Sequence, residues 1–175
     1  MDIRTKLISA AERLFDRHGF TATGMDRLTR EAGLSSRTVY KHVGSKTALI
    51  ATVLSERDRR FMQCLDVPSV DGLFVALEDW VRVEGARGCL FLRAHGETGG
   101  DTPEIKAALT THKSMFRERI AAILALDLGH AADEALIEQI LVLFEGATSA
   151  AVYRGSSAVT AAREAAAILI EQARR

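Results

Sequence analysis

Cysteine is nearly absent from this 175-residue chain, and so is proline, with two of each. Cys64 and Cys89 stand 25 positions apart, too few to build a disulfide framework, and no Cys/His spacing reads as a zinc site. They are expected to be buried, inert thiols. Net charge is also missing, since 23 Lys+Arg balance 23 Asp+Glu. The longest run of large apolar side chains, Ile140 to Phe144, is far too short to span a bilayer. Met1-Asp2-Ile3-Arg4 leads straight into an amphipathic pattern and does not read as a signal peptide. There is no Gly-rich phosphate loop, no Glu-x-x-His pair and no nucleophile with an evident base, which leaves no catalytic constellation. No cofactor is expected. These absences point to an intracellular, cytoplasmic protein without a membrane partner. What remains is 47% apolar and 26% charged, enough to bury a core and enough to exclude disorder.

The zero net charge hides an asymmetry. Residues 1–60 carry 12 Lys+Arg against 7 Asp+Glu, whereas 61–175 carry 11 against 16. A basic N-terminal third on an acidic remainder suits a nucleic-acid-binding head on a different kind of body.

Apolar spacing is helical nearly throughout, and no segment alternates as a strand. The first helix sets Ile3, Leu7, Ala11, Leu14, Phe15 and His18 on one face and stops at Gly19. A short helix over 25–31 follows, with Thr23 placed to cap it and Asp26 three residues on. Ala32-Gly33-Leu34 turns the chain, and Ser35 caps a second short helix through about Lys41. Ser45 caps a long one from Lys46, closed by Pro68, whose charged stretch Arg57-Asp58-Arg59-Arg60 is expected to be solvated. Further helices are expected over 70–84, 87–97, from Thr102-Pro103-Glu104 to Gly129, over 132–153 and over 157–173. The fold class is therefore all-α, with about nine helices. The last two differ in kind: Leu136, Ile137 and Ile140 to Phe144 leave almost no polar face. A helix apolar all round must be covered on both sides.

Two short helices joined by a glycine turn, the second dense in hydroxyls and cations, have the layout of a helix-turn-helix. In Ser35-Ser36-Arg37-Thr38-Val39-Tyr40-Lys41-His42 the apolar anchor is Val39, with Leu28, Ala32 and Leu34 behind it. The others supply what reaches phosphates and base edges in a major groove. The candidate DNA contacts are Thr23, Ser35, Ser36, Arg37, Thr38, Tyr40, Lys41, His42 and Lys46. Tyr40 and His42 suit the backbone, Ser36, Arg37 and Thr38 suit bases, and Lys46 sits where helix N–H groups also favour a phosphate.

At these residues the chain resembles the TetR-type transcriptional regulators. The likeness runs through Ala11-Glu12-Arg13-Leu14-Phe15, His18-Gly19-Phe20, Ala32-Gly33-Leu34-Ser35, Thr38-Val39-Tyr40-Lys41-His42-Val43, Ser45-Lys46 and Leu49. It departs at Thr23-Gly24, where a second hydroxyl is usual, at Val43, where Phe is usual, and at Arg37, often Gly or Pro. More loosely, Gly88-Cys89, Phe91, Ala94, Glu97 and Pro103-Glu104 are similar to one subgroup of such bodies. The resemblance implies a three-helix DNA-binding head (residues 1–45) on an all-α effector-binding and dimerisation body (46–175). It implies a homodimer paired through its last two helices, with Leu136, Ile140, Leu143, Ala147, Ala151, Ala162, Ala166, Leu169 and Ile170 as interface candidates. The implied partners are a double-stranded palindromic operator and a small hydrophobic effector. Phe61, Met62, Leu65, Trp80, Phe91, His95, His112, Met115, Phe116 and Phe144 are the candidates for lining the effector's cavity. The rival is a helical-bundle enzyme or metal-binding protein using His95, Glu97 and His112.

Overall fold

A computed structural model describes residues 2–175, and among these it contains nine α-helices and no strand. They are α1 (Ile3–His18), α2 (Met25–Ala32), α3 (Ser36–Val43), α4 (Lys46–Cys64), α5 (Val70–Glu84), α6 (Leu90–Glu97), α7 (Pro103–Leu128), α8 (Glu134–Arg154) and α9 (Ser156–Ala173). The chain divides into two compact units, Met1–Arg59 with Leu90–Thr111, and Arg60–Cys89 with His112–Arg175. The first unit therefore contains α6 and the start of α7 as well as the N-terminal helices.

In the first unit α1 packs on α2 and α2 on α3. Leu7, Leu14, Phe15, Phe20, Leu28, Val39 and Leu49 are buried, and the Phe15 and Phe20 rings stack with centroids 4.8 Å apart. Ile3 and His18, on the apolar stripe by spacing, are exposed. The α2–α3 turn depends on Gly33, whose φ of +63° lets Leu34 N–H donate back to the Thr29 carbonyl at 3.0 Å, closing the carbonyl end of α2. Arg57 is a correction to the sequence reading. It is buried rather than solvated, and its guanidinium pairs with the buried Glu12 of α1 at 3.0 Å. One helical position decides this, because Arg57 continues the inner face of Ile50, Val53 and Leu54 while Arg59 does not.

Thr23 is a second correction. The residue before α2 is Gly24, which makes no side-chain cap. Thr23 is fully buried, and its hydroxyl donates to the Gly19 carbonyl at 2.7 Å. Helix bounds also move slightly: α4 ends at Cys64, ahead of Leu65 and Pro68, and α6 starts at Leu90 rather than 87. The thiols are not both buried either, Cys64 being exposed and Cys89 half-buried.

The second unit is built on α5, the latter part of α7, α8 and α9. Leu73, Phe74, Phe116, Ile120, Ile140, Phe144, Val159 and Ala166 belong to one continuous core. The Ser69 hydroxyl caps α5 by accepting from Gly72 N–H at 3.1 Å, and Asp127 accepts from Val70 N–H at 2.7 Å. By length and composition α8 is apolar enough to cross a membrane. One face of it joins the core, with Leu136, Ile137, Ile140, Phe144, Ala147 and Ala151 buried.

Arg163 of α9 makes a two-pronged ion pair with Asp71 in the first turn of α5, at 2.6 and 2.7 Å. The Arg163 hydrogen bond holds the Asp71 carboxyl below its ordinary range. A depressed carboxylate stabilises the fold above the ordinary carboxylate pKa, and the benefit disappears as pH falls through the lowered value. Asp71→Asn should thus melt slightly earlier than the parent at pH 7, and the gap should narrow as pH falls below the ordinary carboxylate range. Thermal melts across that range check it, and both groups are exposed enough that the difference stays small.

Candidate nucleic-acid interface

Helix α3 is held by little and displays much. Val39 is its one buried residue, docked among the apolar side chains of the first unit. Ser36, Arg37, Tyr40, Lys41 and His42 are exposed, and Thr38 is half-buried. The Ser35 hydroxyl accepts from Thr38 N–H at 3.1 Å, and the two hydroxyls stand 2.8 Å apart. Ser35 and Thr38 thus spend part of their hydrogen-bonding capacity on starting the helix, which leaves Ser36 and Arg37 the less committed side chains of its first turn. At the other end Gly44, with φ +71°, ends α3, and the Ser45 hydroxyl opens α4 by accepting from Ala48 N–H at 3.1 Å. Lys46 follows at once, with Nζ 3.5 Å from the Thr21 carbonyl. Thr23, sealed beneath this surface, cannot reach a phosphate.

Residues not anticipated from the sequence add to the same unit. The Arg27 guanidinium lies 2.8 Å from His18 Nε2. Desolvation, then the charges of Arg27 and Arg17, hold that imidazole below its ordinary pKa. Lys6 Nζ stands over the α2–α3 turn, where a Cβ on Gly33 would lie 3.6 Å from it. Nothing in the local spacing marks these residues, because each meets its neighbour through the packing of α1 on α2.

The candidate effector residues separate. In the second unit the rings of Phe61, Trp80, His112, Phe116 and Phe144 form one cluster, with Phe61 at its centre: centroids lie 5.3 Å from Trp80, 5.6 Å from His112, 5.5 Å from Phe116 and 6.1 Å from Phe144. Met62 packs on the core of this unit and Leu65 belongs to it. Phe91 and His95 fall in the first unit, and Met115 is exposed. His95 Nδ1 is buried without a hydrogen-bond partner.

Among the described residues no three His, Cys, Asp or Glu side chains stand close enough to hold an ion. The Glu97 carboxylate is occupied elsewhere, accepting from the backbone N–H groups of Phe20 and Thr21.

The interface candidates on α8 and α9 differ in exposure. Leu136, Ile140, Ala147, Ala151, Ala162, Ala166 and Ile170 are buried within the protomer, and Leu143 and Leu169 are half-buried. The outward apolar residues are Val142 (66% exposed), Val152, Tyr153 (80%) and Ile168. Val142, Gly146, Ala150 and Tyr153 border a shallow groove on α8 and α9, and the candidates Leu143, Ala147 and Ala162 line it too.

A buried-valine helix with outward hydroxyls and cations, set behind a glycine turn on an all-α chain, has the layout of a helix-turn-helix. Residues 7–53 match the family described as "Bacterial regulatory proteins, tetR family". This N-terminal part of the chain belongs to the TetR family. It is 35% identical over 123 residues to the HTH-type transcriptional regulator UidR of Escherichia coli strain K12, a match covering 67% of this chain and 62% of the relative. The chain thus spans about three fifths of that relative's length. A TetR-family transcriptional regulator from Streptomyces coelicolor superposes with a TM-score of 0.86 at 26% identity, over 99% of this chain and 96% of the other. Salmonella enterica GusR, at a TM-score of 0.74 and 21% identity over 97% and 95%, shares the fold. The first two of these are named as transcriptional regulators.

Proposed function

We propose that the protein is a homodimeric, cytoplasmic repressor that binds a palindromic operator through α3 and is released by a small hydrophobic effector. The observation that carries the reading is α3 itself: a single buried anchor and five exposed residues able to meet phosphates and bases. Ser36 and Arg37 lie in its first turn, the part of a recognition helix that meets base edges. Tyr40, Lys41, His42 and Lys46 supply backbone contacts. The outward apolar residues of α8 and α9 and the small-residue groove between them support dimerisation, because such a surface suits a partner helix pair. A two-fold dimer sets its recognition helices about 34–36 Å apart, one turn of B-DNA.

The ring cluster around Phe61 is the candidate seat of the effector, with half-buried Phe61 and Trp80 as its accessible members. Release requires a ligand that binds the non-DNA-binding conformation more tightly, by about 5.5 kcal/mol to shift a 99:1 population to 1:99.

Selection of bound duplexes from a random pool tests the reading, and an inverted repeat with half-sites one helical turn apart is expected. Recovery of no common sequence would overturn it. Lys46→Ala should weaken binding to all duplexes alike and flatten the salt dependence by about one phosphate contact. Unchanged affinity and slope would remove Lys46 from the interface.

A further inference from the structure

Helix α6 follows α3 by more than forty residues in sequence, yet it grips the chain just before α2. Glu97, its last residue, accepts from Phe20 N–H at 2.5 Å and Thr21 N–H at 3.0 Å, while Thr21 Oγ1 donates to the Glu97 carbonyl at 2.8 Å. One turn earlier, Arg93 donates to the Asp16 carbonyl at 3.0 Å, and its guanidinium lies 3.6 Å from the Asp16 carboxylate and 3.8 Å from that of Glu97. Thus α6 offers a cation to the carbonyl end of α1 and an anion to the N–H groups beyond it. Each is matched to the partial charge it meets. The fit is close at Gly19. Its φ is +88°, and a Cβ there would stand 2.8 Å from the Glu97 carboxylate.

The turn so held leads to the proposed DNA surface. Thr21, bound by Glu97 through its N–H and hydroxyl, presents its carbonyl to Lys46 Nζ. Gly19, against the same carboxylate, takes the Thr23 hydroxyl. Helix α2 has no side-chain cap, so the turn before it sets where it begins.

We infer that Glu97 is a positioning residue for DNA binding: by fixing the Gly19–Thr21 turn it sets the start of α2 and the place of Lys46. The inference rests on the DNA-binding reading of α3 and Lys46 above. It touches no DNA and adds no contact of its own; it makes the affinity of the head depend on α6 standing where it does.

The test uses the full chain and a duplex recovered by selection, in fluorescence-anisotropy titrations at several salt concentrations, with circular dichroism as the check on folding. Glu97→Ala is expected to bind about tenfold more weakly, to matched and scrambled duplexes alike, with a salt slope lowered by about one contact. Glu97→Gln keeps an acceptor oxygen and should recover most of the affinity. Lys46→Ala should cost affinity in the parent and almost nothing in the Glu97→Ala background, a coupling that a purely structural glutamate would not give. If Glu97→Ala does not fold, Glu97→Asp, which keeps the charge and shortens the reach, carries the same test and should lose about fivefold. A folded Glu97→Ala or Glu97→Asp with parental affinity, or an equal Lys46→Ala cost in both backgrounds, overturns the inference. A parent chain that binds no duplex, or a Lys46→Ala that changes nothing even in the parent, overturns the underlying DNA reading instead.

Discussion

Val142→Glu is expected to convert the protein to a monomer and to lower its affinity for the operator by about a hundredfold or more. Val142 is 66% exposed in the protomer, so a charge there leaves the chain's own core intact. In the proposed dimer it would stand between apolar helices with no partner, and breaking that contact costs far more than it does on an open surface. The loss of DNA affinity follows from linkage: two heads on one body make the second half-site contact intramolecular, worth a factor of about 10²–10⁴. Leu143 is a poorer choice, because it also packs against the protomer's core and a charge there would mix unfolding with dissociation. Sedimentation velocity with an anisotropy titration checks the prediction. A dimer that persists at micromolar concentration would place the interface elsewhere.

Arg37→Ala should change which sequences are bound more than how tightly DNA in general is bound. Arg37 is exposed on the first turn of α3, and a guanidinium there presents two parallel donors of the kind that read guanine O6 and N7. Such a pair discriminates by about 1–3 kcal/mol, roughly ten- to a hundredfold, at one base pair. Titrations against duplexes varied at each half-site position should show the preference relaxed at one position and kept at the others. Lys41→Ala, by contrast, should weaken all of them together. A uniform loss for Arg37→Ala would make it a phosphate contact and pass base reading to Ser36.

The helix-turn-helix was legible because its logic is local. Ser35 caps the residue three positions on, Gly33 takes a left-handed conformation, and Val39 is the lone anchor in a polar helix. Thr23 was not legible, since a threonine before a helix can cap it or turn inward, and only the position of the Gly19 carbonyl decides. The phase of α8 and α9 was hidden for a related reason: where every face is apolar, periodicity no longer says which one the protomer buries. His95 and Glu97 stand two apart, a spacing that points side chains away from each other on a helix. The true partner of Glu97 is a pair of backbone N–H groups 76 and 77 residues away, and backbone donors leave no mark in a sequence.

The most direct test of the account is a fluorescence-anisotropy titration against DNA from immediately upstream of the protein's own gene, beside a scrambled duplex, at about 0.15 M salt. Tight binding to the native fragment, weak binding to the scrambled one and two protomers per duplex are predicted. Equal, weak binding to both, persisting for duplexes drawn by selection, would contradict it.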